Sequence, residues 1–149
     1  MNTLIAIKKQ KLFTELSNSL RRLFKQIFEY MQTFETESFF TFSAQKQEEQ
    51  LKREYNSFIF KTSSILSETS TSVANISSLL IDADKEMDNE SAASLKEAFD
   101  GYVLFEKAFT EYKRDMDIMF SRGSVSVSRL LDGAKKLTLY INSILDKIQ

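Results

Sequence analysis

The sequence predicts an all-α protein: an antiparallel up-down four-helix bundle with coiled-coil-like heptad seams, in one domain that covers 1–149. The chain contains no proline and only three glycines, the residues that punctuate most β-rich folds. Its apolar residues recur at steps of three and four, which is the period of a helix. Two later segments repeat apolar residues every seven positions, as coiled coils do. A length of 149 residues, 42% of them apolar, suits one folded domain.

The first helix is predicted at 3–35. Basic residues occupy much of its surface, and one face carries apolar residues at helical spacing: Leu12, Leu16, Leu20, Leu23, Ile27, Met31 and Phe34. The segment 36–43 combines β-branched and aromatic residues with capping types, which favours a connection. Ser43 is expected to be the N-cap of the next helix.

The second helix is predicted at 43–83, although ten of the eighteen residues from Lys61 to Ser78 are Ser or Thr. The tract keeps helical phase through Phe58, Thr62, Ile65, Thr69, Val73, Ile76 and Leu80. Ser and Thr cost a helix about 0.5 kcal/mol each relative to Ala, so a kink or split near 68–72 is the alternative to one continuous helix. Because this helix outruns the last one, we expect part of it to overhang or to meet another chain.

The last two helices are predicted at 89–121 and 125–148, after an acidic turn in which Asp88 suits a helix start. Gly123 is expected to end the third helix, and Ser124 or Ser126 to cap the fourth. The heptad sets are Leu95, Tyr102, Phe109, Met116 with Ala98, Phe105, Tyr112, Met119, and then Val127, Ala134, Ile141, Ile148 with Leu130, Leu137, Ile144. This spacing favours core packing over a ligand-binding stripe, and buried tyrosines should find hydroxyl partners.

Composition excludes several kinds of chemistry. The chain has no histidine and no cysteine, which removes Ser-His-Asp and Cys-His catalysis, disulfides and the usual zinc or di-iron sites. Asp82, Asp84 and Glu86 begin like a calcium-binding EF-hand loop, but Met87 and Ala93 stand where that loop needs Gly and Glu. We therefore expect no catalytic residue, metal or cofactor, and a protein that is not an enzyme. A net charge of −1 argues against nucleic-acid binding.

The sequence shows no sign of a membrane span or a secretory signal. No stretch approaches the roughly 20 apolar residues that cross a bilayer. The start, MNTLIAIKK, places its apolar run before its lysines, which is the reverse of a secretory signal. We expect a cytoplasmic protein, and a Sec-independent export route stays open because it would leave no such mark.

Three groups of residues are candidate binding surfaces. Phe39, Phe40 and Phe42 cluster in the first connection, where they either plug the end of the bundle or meet a partner groove or a membrane. Small side chains on the second helix would let another helix approach closely, with hydroxyls bonded to carbonyls four residues back: Ser63, Ser70, Thr71, Ser77 and Ser78. Phosphorylation of this tract is the alternative. Basic residues of the first helix would suit anionic lipid: Lys8, Lys9, Lys11, Arg21, Arg22 and Lys25.

Charge compensation is the simpler explanation for part of that basic group. An up-down bundle places the N-terminus beside the turn between the second and third helices. The lysines at 8, 9 and 11 would then approach the acidic residues Asp82, Asp84, Glu86, Asp88 and Glu90.

The turn before the last helix contains an aromatic residue and a glycine, Phe120 and Gly123. It is similar in kind to the Trp-x-Gly turn of the small helical-hairpin proteins of type VII secretion. Here the spacing is one residue longer and tryptophan is absent, so the likeness concerns the helical class alone.

Together these features predict a non-catalytic helical interaction protein, such as an adaptor, a chaperone or a secretion-associated assembly subunit. Its expected partner is another helical protein or a second copy of itself, which would make it a homo-oligomer. The alternative is a peripheral or membrane-active protein that uses the basic first helix and the phenylalanine connection.

Overall fold

The computed structural model describes residues 3–35, 43–83 and 85–148. Over these ranges the chain forms four helices and no strand, which confirms the all-α prediction. The helices are α1 (Thr3–Thr33), α2 (Ala44–Asp82), α3 (Asn89–Arg122) and α4 (Val127–Ile148). Each predicted boundary agrees with the observed one to within two residues.

The helices close into a ring of antiparallel neighbours. α1 packs against α2 and α4, and α3 packs against the same two helices from the opposite side. The up-down four-helix bundle is therefore confirmed, and each helix turns one face to the shared core.

The helix ends carry the expected caps. Gly123 ends α3 in the left-handed region, with φ of 71°, which a residue without Cβ adopts at no steric cost. Three helices begin with a side-chain oxygen that accepts a backbone N–H three residues later: Ser43 from Lys46 at 3.4 Å, Asp88 from Ser91 at 2.6 Å, and Ser126 from Arg129 at 3.3 Å.

α2 runs unbroken from Ala44 to Asp82, so the split considered near 68–72 does not occur. Thr69 is fully buried, and its hydroxyl donates to the Ile65 carbonyl at 2.7 Å; the Ser70 hydroxyl does the same to Leu66 at 2.9 Å. These bonds within the helix satisfy the hydroxyls that would otherwise compete with it. Packing of the buried face thus outweighs the weak helix propensity of the tract.

The expected overhang of α2 is short. Buried side chains follow one another along this helix from Leu51 to Leu79, and Ala83 continues them past its end. None of the described side chains at 45–50 is buried. Only the first two turns of α2 therefore extend beyond the core.

The buried residues lie on the predicted helix faces, but at two places the buried position is one residue earlier than predicted. All eight heptad positions of α3 are buried, whereas Val127 and Ile148 at the two ends of α4 are half-buried. On α1, Tyr30 is buried and Met31 half-buried; on α2, Leu79 is buried and Leu80 half-buried. In both places the buried residue follows the previous core position by three residues where a step of four was predicted, and a helix with 3.6 residues per turn allows either step.

Two glycines bring α3 and α4 close together. A Cβ atom at Gly133 would lie 2.4 Å from Cδ1 and Cε1 of Tyr112, and one at Gly101 would lie 2.9 Å from Cγ1 of Ile144. Both glycines lie inside helices, where their usual effect is destabilising. Here they make room for a side chain of the neighbouring helix.

Candidate functional site

The outer face of α2 carries the two most exposed large hydrophobic side chains among the described residues. Phe60 and Ile81 have exposed fractions of 77% and 74%, higher than any other large hydrophobic side chain described. They lie 21 residues apart, with Ser67 and Ala74 between them at steps of seven. We define the outer face by eight exposed residues: Phe60, Ser63, Ser67, Ser70, Thr71, Ala74, Ser78 and Ile81.

This outer face carries no charge over about 32 Å, the rise of 21 helical residues. The only charged residues between Phe60 and Ile81 are Lys61 and Glu68. Glu68 lies to one side, where it forms an ion pair with Arg22 of α1. A surface this long without charge differs from the usual solvated helix face, which is charged or strongly polar.

The small residues predicted to meet a helix lie mainly on this outer face. Ser63, Ser70, Thr71 and Ser78 are exposed, and Ser77 is half-buried. Ser70 interacts with the Tyr102 hydroxyl of α3, and Ser78 lines a cavity beside α1, so these two also lie next to neighbouring helices. Phe60 and Ile81 were not predicted from the sequence, although Phe60 follows the buried Phe58 by two residues and must therefore point away from the core.

A chain of buried hydroxyls ties the helices together at the opposite end from Thr3. The Tyr112 hydroxyl donates to the Leu130 carbonyl at 2.9 Å, and the Tyr30 hydroxyl lies 3.0 Å from it. Because Tyr112 gives its single proton to Leu130, Tyr30 is the donor to Tyr112. The Tyr55 hydroxyl donates to Asp117 Oδ1 at 2.8 Å. These bonds join α1 to α3, α3 to α4, and α2 to α3.

The tyrosines of the core stay neutral at physiological pH. Burial raises the pKa of Tyr30, Tyr55, Tyr102 and Tyr112 well above the ordinary tyrosine value of about 10. Burial also acts to raise the pKa of Asp117, but hydrogen bonds from Lys113 and Tyr55 outweigh it and lower that pKa. The expected hydroxyl partners of Tyr102 and Tyr112 are present, since Tyr102 donates to the Leu66 carbonyl at 3.2 Å. These hydrogen-bonded groups connect the helices of the core.

Lysines of α1 lie near acidic residues at the end of the bundle that contains Thr3, as an up-down bundle requires. Lys8 and Lys11 line a cavity of about 410 Å³ together with Asp82 and Glu86. Asp88 accepts hydrogen bonds from Ser91, which lower its pKa, and the charge of Lys9 adds to that effect. Asp84 lies outside the described residues.

The six basic residues predicted for lipid binding point to different sides of α1. Lys8 and Lys11 face α2, whereas Lys9 and Arg21 line a groove with residues of α3 and α4. Arg22 pairs with Glu68, and Lys25 lies 3.9 Å from Glu29. The phenylalanines at 39, 40 and 42 lie outside the described residues.

Over the ranges 3–35, 43–83 and 85–148, no group of three or more acidic side chains is placed to hold a metal ion. None of the helices in this part of the chain combines the length and the apolar character needed to cross a bilayer. No protein-family model matches the sequence, and neither the curated proteins nor the solved structures gave a match. The surfaces themselves are therefore the basis for a functional proposal.

Proposed function

We propose that the protein is a non-catalytic helical interaction protein, an adaptor, chaperone or assembly subunit, that binds a helical partner or a second copy of itself through the outer face of α2. One observation carries this proposal. Two large hydrophobic side chains, Phe60 and Ile81, stand exposed at heptad spacing on a helix face without charge. Small residues between them allow the backbone of another helix to approach.

A second copy fits this face by symmetry. In an antiparallel pair related by a two-fold axis, Phe60 would meet Ile81 of the other copy, and Ser67 would meet its Ala74. Large residues would then face large ones, and small residues would face small ones. Burying the four large side chains would contribute about 6–12 kcal/mol, which is close to the entropic cost of association, so a weak dimer is expected.

The test is light scattering coupled to size-exclusion chromatography over a range of concentrations, together with a pull-down from native extract. The variant is Phe60→Ser with Ile81→Ser. The matched control is Leu104→Ser with Leu139→Ser, which removes two exposed leucines of α3 and α4 outside the outer face. We expect association to be lost in the first variant and kept in the control. A wild-type chain that stays monomeric and captures nothing would contradict the proposal.

A membrane-surface role is the second candidate, and a specific observation favours it. Leu4 and Ile7 on α1 have exposed fractions of 56% and 59%, and both lie near Lys8 and Lys11. Apolar side chains beside cations are typical of helices that bind anionic bilayers. Co-sedimentation with anionic vesicles, repeated with Leu4→Ser and Ile7→Ser and separately with serine at 39, 40 and 42, tests this role. Wild-type protein that stays in the supernatant would contradict the membrane-surface role.

A further inference from the structure

α1 extends beyond the end of α4. The hydroxyl chain from Tyr30 through Tyr112 to Leu130 places these residues at approximately the same height in the bundle. From Leu130 to Ile148, α4 rises about 27 Å, whereas α1 rises about 40 Å from Tyr30 back to Thr3. About nine residues of α1 therefore extend past the level at which α4 ends.

A groove of about 630 Å³ begins in this part of α1, continues along the helix, and reaches Ser94 of α3 and the last turn of α4. Its α1 wall extends from Ala6 to Arg21, which is about 22 Å or four helical turns. Along this wall Ala6, Gln10, Phe13 and Ser17 recur at steps of four, three and four. That spacing is a helix-packing seam, and its small members let a neighbouring backbone approach.

The groove is positively charged. Lys9, Arg21 and Lys147 line it, and none of the described residues that line it carries a carboxylate. Lys9 Nζ lies 5.5 Å above the centre of the Phe13 ring, a cation–π contact that holds this charge at the groove wall. Asp88 lies close enough to Lys9 to offset part of its charge, so Arg21 and Lys147 should contribute more to recognition. A partner that complements this wall must carry negative charge.

We infer that this groove binds an amphipathic helix of another protein, about four turns long, whose apolar stripe packs on Ala6 and Phe13 and whose flanking carboxylates meet Lys9, Arg21 and Lys147. The inference rests on the proposed function, because both treat the protein as a module that binds helices. It uses a different surface, however, and it specifies the chemistry of the partner.

The test measures binding of two labelled synthetic peptides by fluorescence anisotropy, with the full chain as receptor. Both peptides are four-turn helices with the same leucine stripe; one has Glu at the flanking positions and the other has Lys. The variant receptor neutralises the groove with Lys9→Gln, Arg21→Gln and Lys147→Gln. The matched control makes the same change in net charge elsewhere, with Lys61→Gln, Lys107→Gln and Lys135→Gln. Circular dichroism confirms that both receptors keep their helicity.

We expect the acidic peptide to bind more tightly than the basic one. Neutralising the groove should weaken its binding by about tenfold, while the control should stay within about twofold of wild type. Failure of the acidic peptide to bind, equal binding of the two peptides, or unchanged binding to the neutralised groove would each overturn the inference. Anionic vesicles that bind wild type but not the neutralised variant, without binding of the acidic peptide, would also overturn it and indicate a lipid surface.

The result of the peptide-binding test can be distinguished from the result of the self-association test of the outer face of α2. The variant with Phe60→Ser and Ile81→Ser should bind the acidic peptide as wild type does, because those residues lie outside the groove. A wild-type chain that does not self-associate but binds the acidic peptide would then count against the outer face alone. Intact self-association without peptide binding would count against the groove alone.

Discussion

Replacing Gly133 with alanine tests the close packing of α3 on α4. In an ordinary helix interior this change stabilises a protein by about 1 kcal/mol, because alanine is the better helix former. Here the added Cβ would lie 2.4 Å from two ring carbons of Tyr112. Carbon atoms in contact prefer about 3.5–4.0 Å, so the ring or α4 must move by more than 1 Å.

The surroundings of Tyr112 resist such a movement. Its hydroxyl donates to Leu130 at 2.9 Å and accepts from Tyr30 at 3.0 Å, and its ring meets the Phe58 ring edge-on at 6.3 Å between centroids. Overpacking of a tight core costs about 1–3 kcal/mol, and a displaced buried hydrogen bond costs about 1 kcal/mol more. After the helix gain is subtracted, we expect Gly133→Ala to lower the free energy of unfolding by about 2 kcal/mol.

Urea unfolding followed by circular dichroism measures this change. Gly101→Ala is the matched comparison, because its Cβ would meet only the Ile144 side chain, at 2.9 Å from Cγ1, and the smaller overlap should give a smaller loss. Combining Gly133→Ala with Tyr112→Leu should recover part of the loss, as a double-mutant cycle would show. A Gly133→Ala protein that is more stable than wild type would refute the reasoning.

Two further changes test buried hydroxyls. Thr62 is fully buried, and its Oγ1 has no hydrogen-bond partner among the described residues. Thr62→Val should therefore raise the free energy of unfolding by about 1 kcal/mol, as measured by urea unfolding. A variant that is clearly less stable than wild type would show that the hydroxyl is satisfied. The raised pKa of Tyr30 means that the folded state keeps a proton that the unfolded state loses above about pH 10, so stability falls as pH rises past that value. Above about pH 10, Tyr30→Phe should reduce the loss of unfolding free energy by about 1.4 kcal/mol per pH unit. The free energy of unfolding is measured at several pH values from 8 to 11, and the same dependence on pH in the variant and in wild type would contradict the prediction.

The sequence predicts the elements of this fold well because their signals are local. Apolar residues at helical steps specify which face of each helix is buried, and Ser43, Asp88 and Gly123 mark ends through bonds within a few residues. The continuity of α2 was harder to predict, because burial of Thr69 against other helices decides it. Local propensity contains no information on that packing.

The candidate surfaces depend on how the helices are placed relative to one another, which a single sequence shows poorly. The outer face of α2 follows from helical phase, and Phe60 could have been assigned to it. The groove could not, because it depends on where α4 ends beside α1 and on Ser94 of α3. The roles of Gly101 and Gly133 also needed the distance between two helices.

The buried tyrosines have a practical consequence for spectroscopy. The chain has no tryptophan, and four of its five tyrosines lie in the core, at 30, 55, 102 and 112. Its near-ultraviolet absorbance, circular dichroism and intrinsic fluorescence therefore originate largely from the interior. Opening of the bundle should change these signals without an attached dye, while a partner without aromatic residues that docks on an outer surface should leave them almost constant. The natural chromophores thus distinguish unfolding from binding.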